Sequence, residues 1–80
     1  MKVAVKVRLK PSLLDPQGKA VHQALQHLGL TAIEGVRIGK LIELEVEDGQ
    51  DRETVRKLVE DASRKLLANP VMEDFDIEYL

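Results

Sequence analysis

The sequence predicts an α+β fold in which two helices cover one face of an antiparallel sheet. Three observations support this prediction. Apolar and polar residues alternate near both ends and in the middle of the chain, as in half-buried strands. Two intervening stretches carry apolar residues at helical spacing, and each begins with an aspartate suited to capping. The resulting order βαββαβ is that of a two-layer ferredoxin-like sandwich.

The first strand and the first helix have clear boundaries in the sequence. Valine and leucine alternate with cationic or small residues over residues 2–9, and Pro11 ends the pattern. Asp15 can cap a helix whose first position is Pro16, where the missing N–H is harmless. Gly29 suits the left-handed residue that closes the helix. The apolar stripe of this helix consists of Ala20, Val21, Ala24, Leu25 and Leu28.

The middle of the chain, residues 33–47, is rich in strand-forming residues. Its apolar residues of one parity are Val36, Ile38, Ile42, Leu44 and Val46. Gly39 and Lys40 interrupt the alternation, and we favour a hairpin turn there, with glycine at the first central position. The alternative is a bulge or bend in one long strand, because the apolar parity continues past Gly39.

The second helix and the last strand follow. Asp51 caps the helix, Asn69 suits its left-handed end, and Pro70 prevents its continuation. Residues 75–79 alternate again and predict the final strand. The stripe of this helix consists of Val55, Leu58, Val59, Ala62 and Leu66.

The second face of the sheet is not covered by helices in this fold. It carries basic side chains from the first strand and acidic ones from the middle segment, together with Arg37 and Leu41. Opposite charges on neighbouring strands pair with each other, so we interpret this face as solvated surface. A docking surface or a dimer seam is the alternative, for which Leu41 and the edge strands are the indications.

Composition limits the classes of function. The chain of 80 residues suits one domain, residues 1–80, and contains no cysteine, which excludes disulfides and thiolate metal sites and favours a cytoplasmic location. No apolar run approaches the ~20 residues that cross a bilayer. A net charge of −2, with one Phe, one Tyr and no Trp, gives no basis for binding nucleic acid.

No residue cluster predicts catalysis or metal binding. His22 and His27 are five residues apart, so they lie ~140° apart around a helix and cannot share a metal ion. The few serines and threonines lie in no nucleophile pattern. Glu73, Asp74 and Asp76 flank the start of a strand and suit a solvated entry. We therefore predict no catalytic, metal-binding or cofactor-binding residue in this chain.

Three short segments are poorly explained by folding alone. They are LDPQG at residues 14–18, VRIGK at residues 36–40 and LLANPVMED at residues 66–74. The second contains glycines and two cations but lacks the glycine run that opens a phosphate-binding helix, so a turn is the simpler explanation. Val71 and Met72 suit closure of one end of the core, with an exposed edge that contacts a partner as the alternative.

In this order and at these spacings, the three segments resemble the PurS family, the small subunits of the amidotransferase that makes formylglycinamidine ribonucleotide in purine synthesis. The resemblance extends nearly from end to end. It implies membership of an ATP-dependent ligase complex, phosphoribosylformylglycinamidine synthase. In that complex a glutaminase subunit releases ammonia, and a large synthase subunit uses ATP and Mg²⁺ to activate the amide substrate.

The resemblance also implies a role for this chain. PurS-like chains form dimers, hold the other two subunits together and help ammonia to pass between them, without a catalytic residue, metal or cofactor of their own. We expect the partner contacts at loops and helix ends, which offer specific contacts without disturbing a core. The candidate contact residues are Gln17, Gly18, Arg37, Gly39, Lys40, Asn69, Pro70, Val71, Met72 and Glu73.

Two other classes of function are compatible with the predicted fold. One is a dimeric ligand-sensing regulatory domain that binds a small metabolite between subunits. The other is a small enzyme or RNA-binding protein on the same fold, because fold does not fix function. The absence of a nucleophile or an acid–base pair argues against the enzyme, and the scarcity of aromatic residues argues against RNA binding.

Overall fold

A computed structural model describes residues 1–80 as a three-stranded antiparallel sheet with two helices. The elements are β1 (Lys2–Leu9), α1 (Pro16–His27), β2 (Gly39–Glu45), α2 (Arg52–Ala62), a π-helical turn (Ser63–Leu67) that prolongs α2, and β3 (Glu73–Tyr79). The strand order is β2-β1-β3. The α+β class of the ferredoxin-like type, with an antiparallel sheet and two helices, is confirmed. Neither helix has the length and apolarity needed to span a bilayer.

The core lies between one face of the sheet and α2. Its central residues are three fully buried valines of β1, namely Val3, Val5 and Val7. Val5 lies opposite Ile42 of β2 and Ile77 of β3, so the apolar alternation of the three strands meets on one face. Val55 and Val59 of α2 cover this face and are at most 2% exposed.

The predicted middle hairpin is wrong, and so is its alternative of one long bulged strand. β2 begins at Gly39, which already pairs with Arg8 of β1, and residues 33–38 belong to no strand. Gly39 serves a close approach between strands, because a Cβ atom there would lie 2.6 Å from the Val7 carbonyl oxygen. The sheet therefore has three strands where the sequence predicted four.

Only α2 covers the sheet within one chain. No residue of α1 belongs to the hydrophobic core or to the side chains packed against it, and its one buried residue is Gly18. The apolar stripe of α1 is open to solvent, with Val21 and Leu28 exposed by 40% and 75%. The predicted packing of both helices on one face is therefore absent from the single chain, which measures 51 × 25 × 14 Å.

The π-helical turn changes which residues of the apolar stripe predicted for α2 are buried. Ala68 N–H donates to the Ser63 carbonyl at 2.8 Å, one residue farther back than in an α-helix. This extra residue rotates the side chains that follow, so Leu66, predicted to be in the core, is 83% exposed. Leu58 also departs from the prediction and is 60% exposed.

The uncovered face of the sheet carries the predicted cross-strand ion pairs. Lys6 Nζ lies 2.8 Å from Glu78 Oε2, Lys2 Nζ lies 3.8 Å from Glu43 Oε2, and Arg8 pairs with Asp76. All six side chains are at least half exposed, so each pair contributes about 1 kcal/mol or less. Cross-strand charge pairing is confirmed, but two of the three pairs join β1 to β3 and only the Lys2–Glu43 pair joins β1 to the middle segment.

Candidate partner-binding surface

The ten candidate contact residues lie at one end of the molecule. Because β1 is antiparallel to both neighbours, its last residues lie beside the first residues of β2 and β3. Arg8 is opposite Gly39 on one side and Asp74 on the other. The start of α1 and the turn after α2 reach the same end, since Ile38 is tied to Asp15 and Lys10 N–H donates to the Met72 carbonyl. We call this end the candidate surface.

Asp15 holds the start of α1 against the segment that leads into β2. Its carboxylate accepts hydrogen bonds from the Gly18 N–H at 2.9 Å and from the Ile38 N–H at 2.7 Å. These bonds, with the Arg37 cation as a further cause, lower the pKa of the Asp15 carboxyl. Asp15 is 8% exposed, and its role is structural.

Packing within the chain explains why residue 18 is glycine, whereas no contact within the chain explains Gln17. A Cβ atom at position 18 would lie 2.3 Å from the Val36 carbonyl oxygen and 2.9 Å from Asp15 Oδ2, so only glycine fits this contact. Packing therefore accounts for Gly18. Gln17 is exposed and its side chain makes no hydrogen bond within the chain, so it is free to contact a partner.

Arg37 is not the free loop tip that the sequence suggested. Its guanidinium donates to the Leu13 and Lys10 carbonyl oxygens at 3.0 Å each and so fixes the loop between β1 and α1. Lys40 is less constrained, with its Nζ 4.0 Å from Glu73 Oε2 and its side chain 59% exposed. Lys40 is therefore the more available cation of the two.

The turn between α2 and β3 is braced by its own hydrogen bonds. Asn69 Oδ1 accepts from the Val71 N–H at 3.1 Å, and Glu73 Oε1 accepts from the Asn69 N–H at 2.8 Å. The Asn69 carbonyl accepts from the N–H groups of Met72 and Glu73 at 3.0 and 2.7 Å. The turn is thus ordered before any partner binds, which lowers the entropic cost of association.

This braced turn points its apolar side chains outward. Val71 is 79% exposed and Met72 is 46% exposed, so the interpretation that they close one end of the core is wrong. Pro70 between Asn69 and Val71 is exposed as well. Exposed apolar residues on a rigid turn are typical of an interface.

Two open clefts border Glu73. The smaller, of about 320 Å³, is lined by Gln17, Gly39, Lys40 and Glu73 among others. The larger, of about 920 Å³, brings three arginines, including Arg37 and Arg64, together with the acidic start of β3. The larger cleft has three cations and three carboxylates, and the smaller has one cation and two carboxylates. Neither has an excess of positive charge, so the clefts suit a polar protein surface better than a free anion.

Arg64 is the residue of this surface that the sequence did not indicate. It sits in the π-helical turn and lines the larger cleft beside Pro70. Glu60 lies four residues before Arg64 and would be its ion-pair partner on a regular helix. In the structure Glu60 Oε1 lies 3.9 Å from Arg56 Nε instead. Arg64 reaches the candidate surface from this irregular turn, for which the sequence carries no simple signal.

Comparison with known proteins gives one consistent family. Residues 2–80 match the family model described as PurS, phosphoribosylformylglycinamidine (FGAM) synthase. The chain is 48% identical to the phosphoribosylformylglycinamidine synthase subunit PurS of Bacillus subtilis, over 96% of this chain and 89% of that one. It is 38% identical to the PurS subunit of Methanocaldococcus jannaschii, over 96% and 92% of the two chains.

A solved assembly contains a similar chain. The structure of PurLQS from Thermotoga maritima includes one that superimposes with a TM-score of 0.89 at 32% identity, covering 99% of this chain and 95% of that chain. The match extends over all the segments that form the candidate surface. By sequence and by fold, the chain belongs to the PurS family of phosphoribosylformylglycinamidine synthase subunits.

Proposed function

We propose that this chain is a non-catalytic subunit that bridges the glutaminase and the ATP-dependent synthase of a phosphoribosylformylglycinamidine synthase complex and supports ammonia transfer between them. The relative from Thermotoga maritima occurs in a PurLQS assembly, and by family the partners of this chain are the corresponding PurL and PurQ subunits. ATP and Mg²⁺ are used by the synthase partner. A cytoplasmic location and a homodimer or higher homo-oligomer complete the proposal.

The observation that carries the proposal is the gathering of the candidate residues at one end of the sheet. Exposed Val71 and Met72 stand there on a turn fixed by its own hydrogen bonds. Gln17 and Lys40 line a cleft that is also bordered by Glu73, the residue after Met72. Apolar residues rimmed by polar ones form the usual composition of a protein–protein interface.

The chemistry of the surface supports a role without catalysis. Its two most shielded carboxylates are those of Asp15 and Glu73, and both accept hydrogen bonds from backbone N–H groups. For Asp15 these bonds lower the pKa, which makes its carboxylate a poor general base. No group of three or more potential metal ligands forms a site.

Reconstitution tests the proposal. The chain is mixed with the glutaminase and synthase subunits from its own source, and formation of formylglycinamidine ribonucleotide is followed with glutamine or with ammonium as the nitrogen donor. We expect activity with glutamine only when this chain is present, whereas ammonium should bypass the requirement. A bridging subunit affects the coupling of two reactions and leaves the synthase reaction itself intact.

Two other outcomes would contradict the proposal. If the two other subunits use glutamine fully without this chain and never co-elute with it, the bridging role is wrong. If the isolated chain binds amino acids or nucleotides directly, the alternative of a dimeric ligand-sensing domain takes its place. Isothermal titration with glutamine and with ATP distinguishes that case.

A further inference from the structure

The loop between β1 and α1 is fixed in the free chain although it contains no helix or strand. Its residues 10–14, which we call the clamped loop, are held at both ends. The Lys10 N–H donates to the Met72 carbonyl at 2.9 Å, and the Leu13 N–H donates to the Lys10 carbonyl at 2.9 Å. The Arg37 guanidinium donates to the carbonyl oxygens of Lys10 and Leu13 at 3.0 Å each. Backbone fixed in this way loses little conformational entropy when another molecule binds it.

Leu14, the last residue of the clamped loop, is exposed to solvent. Its side chain is 92% exposed, more than any other large apolar side chain of the protein. In the segment LDPQG, contacts within the chain explain Asp15 and Gly18, whereas Leu14 adds nothing to the core. A single exposed leucine is common in proteins, so its surroundings decide whether it has a role.

The clamped loop forms one side of the larger cleft. Pro11 of this loop and Pro70 of the turn between α2 and β3 both line the cleft of about 920 Å³. The backbone hydrogen bond between loop and turn keeps the two sides in place. Each of these fixed segments also exposes an apolar side chain, Leu14 at 92% and Val71 at 79%. A charged cleft between two apolar contacts has the mixed composition of a protein interface.

Two charged residues of the larger cleft have no partner within the chain. Arg8 pairs with Asp76, and Arg37 is engaged by the carbonyl oxygens of the clamped loop. Arg64 makes no ion pair and no side-chain hydrogen bond, and the same is true of Asp74. They do not pair with each other either. A molecule that complements the cleft therefore brings a carboxylate to Arg64 and a cation to Asp74.

The positions of the apolar residues indicate the size of that molecule. Leu14 and Val71 do not line the cleft, although they belong to the two segments that form its sides. A molecule that covers both side chains and also reaches Arg64 and Asp74 must be larger than a metabolite. A segment of another protein meets this requirement.

We propose that the larger cleft receives a segment of a partner subunit in which an acidic side chain pairs with Arg64, a basic side chain pairs with Asp74 and an apolar side chain packs on Leu14. Leu14 is then an anchor of the interface. Arg37 is a positioning residue, because it acts on the partner through the clamped loop. This inference rests on the proposed function, and it adds contacts that the unusual residues of the sequence did not indicate.

Leu14→Ala tests the anchor. We expect association with the synthase and glutaminase, measured by isothermal titration, to weaken roughly tenfold. The urea-unfolding midpoint should stay unchanged, because the side chain lies outside the core. Leu58→Ala removes the same side chain from a position that is 60% exposed and away from the candidate surface, and it should leave the affinity unchanged. An L14A variant that binds as tightly as the unmodified chain would overturn the role of Leu14.

Charge reversal tests the carboxylate of the partner. Arg64→Glu should weaken association more than Arg64→Gln, because reversal adds repulsion to the loss of the pair. The difference between the two variants should shrink when salt is raised, since salt screens exposed charges. Arg56→Gln is the matched control, because Arg56 is an exposed arginine whose partner is Glu60 of its own helix. Equal affinities of R64E and R64Q at low salt would overturn the pairing of Arg64 with a carboxylate.

A double variant tests the positioning role of Arg37. Arg37→Ala should weaken association, and adding Leu14→Ala to it should weaken association no further, because loosening the clamped loop already disturbs the Leu14 contact. Arg37→Lys should behave like R37A, since an ammonium group does not replace a planar guanidinium that holds two carbonyl oxygens. Additive losses would show that Arg37 contacts the partner independently and would overturn its positioning role.

The reconstitution with the unmodified chain separates this assignment from the proposed function. If the unmodified chain binds neither subunit, the proposed function and the assignment of the cleft are both wrong. If the unmodified chain restores activity with glutamine and the L14A and R64E variants bind as tightly as it does, only the assignment of the cleft is wrong.

Discussion

Gly18 and Val36 are in direct backbone contact, because a Cβ atom added at Gly18 would lie 2.3 Å from the Val36 carbonyl oxygen. No real Cβ contact is that short, so the first turn of α1 and the segment before β2, residues 33–38, approach each other only where there is no side chain. This contact explains a glycine inside the first turn of a helix, a position that helix propensity disfavours.

Gly18→Ala is expected to lower the free energy of unfolding by about 1–3 kcal/mol, the usual range for overpacking, despite the better helix propensity of alanine. Urea unfolding followed by circular dichroism measures the change. Gly35→Ala is the matched control, since a Cβ there meets no atom within 4 Å and should be close to neutral. Equal stability of both variants would show that the contact opens easily.

Asp15 predicts a specific dependence of stability on pH. Hydrogen bonds lower its pKa in the folded protein, so its contribution to stability is complete above about pH 4, the unfolded value, and is lost as the pH falls through the lower folded value. Asp15→Asn should therefore give a protein that is less stable at pH 7 and whose stability falls less steeply below pH 4.

The control for that experiment is Asp74→Asn. Asp74 makes no ion pair and its side chain makes no hydrogen bond, so its replacement removes a carboxyl without removing the contacts that Asp15 makes. Thermal unfolding at several pH values between 2.5 and 7 gives the slope of stability against pH for each variant. Parallel slopes for the Asp15 variant and the unmodified protein would contradict the prediction.

Ser63 is fully buried and its hydroxyl has no hydrogen-bond partner. A buried polar group without a partner is destabilising, so Ser63→Ala should raise the free energy of unfolding by about 1 kcal/mol. Ser12→Ala, at an exposed position, should change it by less than about 0.5 kcal/mol. A loss of stability in the Ser63 variant would show that this hydroxyl is satisfied in solution.

Val71→Asp tests the candidate surface. Val71 is 79% exposed, so a charge there should change the free energy of unfolding by less than about 0.5 kcal/mol. The same charge should weaken association with the synthase and glutaminase at least tenfold. Leu58→Asp places the same charge at a residue of α2 that is 60% exposed, away from the candidate surface. Size-exclusion chromatography of the three-subunit mixture compares the two variants. An equal loss of association in both variants would show that the turn is not part of the interface.

Much of the fold could be predicted because local rules agree with the final packing. The alternation in β1, the capping of α1 by Asp15 and the capping of α2 by Asp51 all appear as expected. The middle segment was misjudged because period-two alternation reports only that a strand can form. It does not report that Gly39 already lies against β1 or that Asp15 holds Ile38 away from the sheet.

The candidate surface could be located from its unusual residues, but their individual roles could not. Gly18 and Arg37 form contacts between segments distant in sequence, and such contacts leave no periodic signal. Leu66 was assigned to the core because one inserted residue in the π-helical turn cannot be foreseen from its spacing. Val71 and Met72 were open to two interpretations until their exposure was known.

The small core has a consequence for how the chain is maintained in a cell. Ten of 80 residues are buried, and the largest fully buried apolar side chains are all valines, so the isolated chain gains little free energy by folding. Binding then supplies much of its stability by mass action. Copies made in excess of their partners unfold more often and are exposed to proteases. We therefore expect the amount of this subunit to follow the supply of its partners.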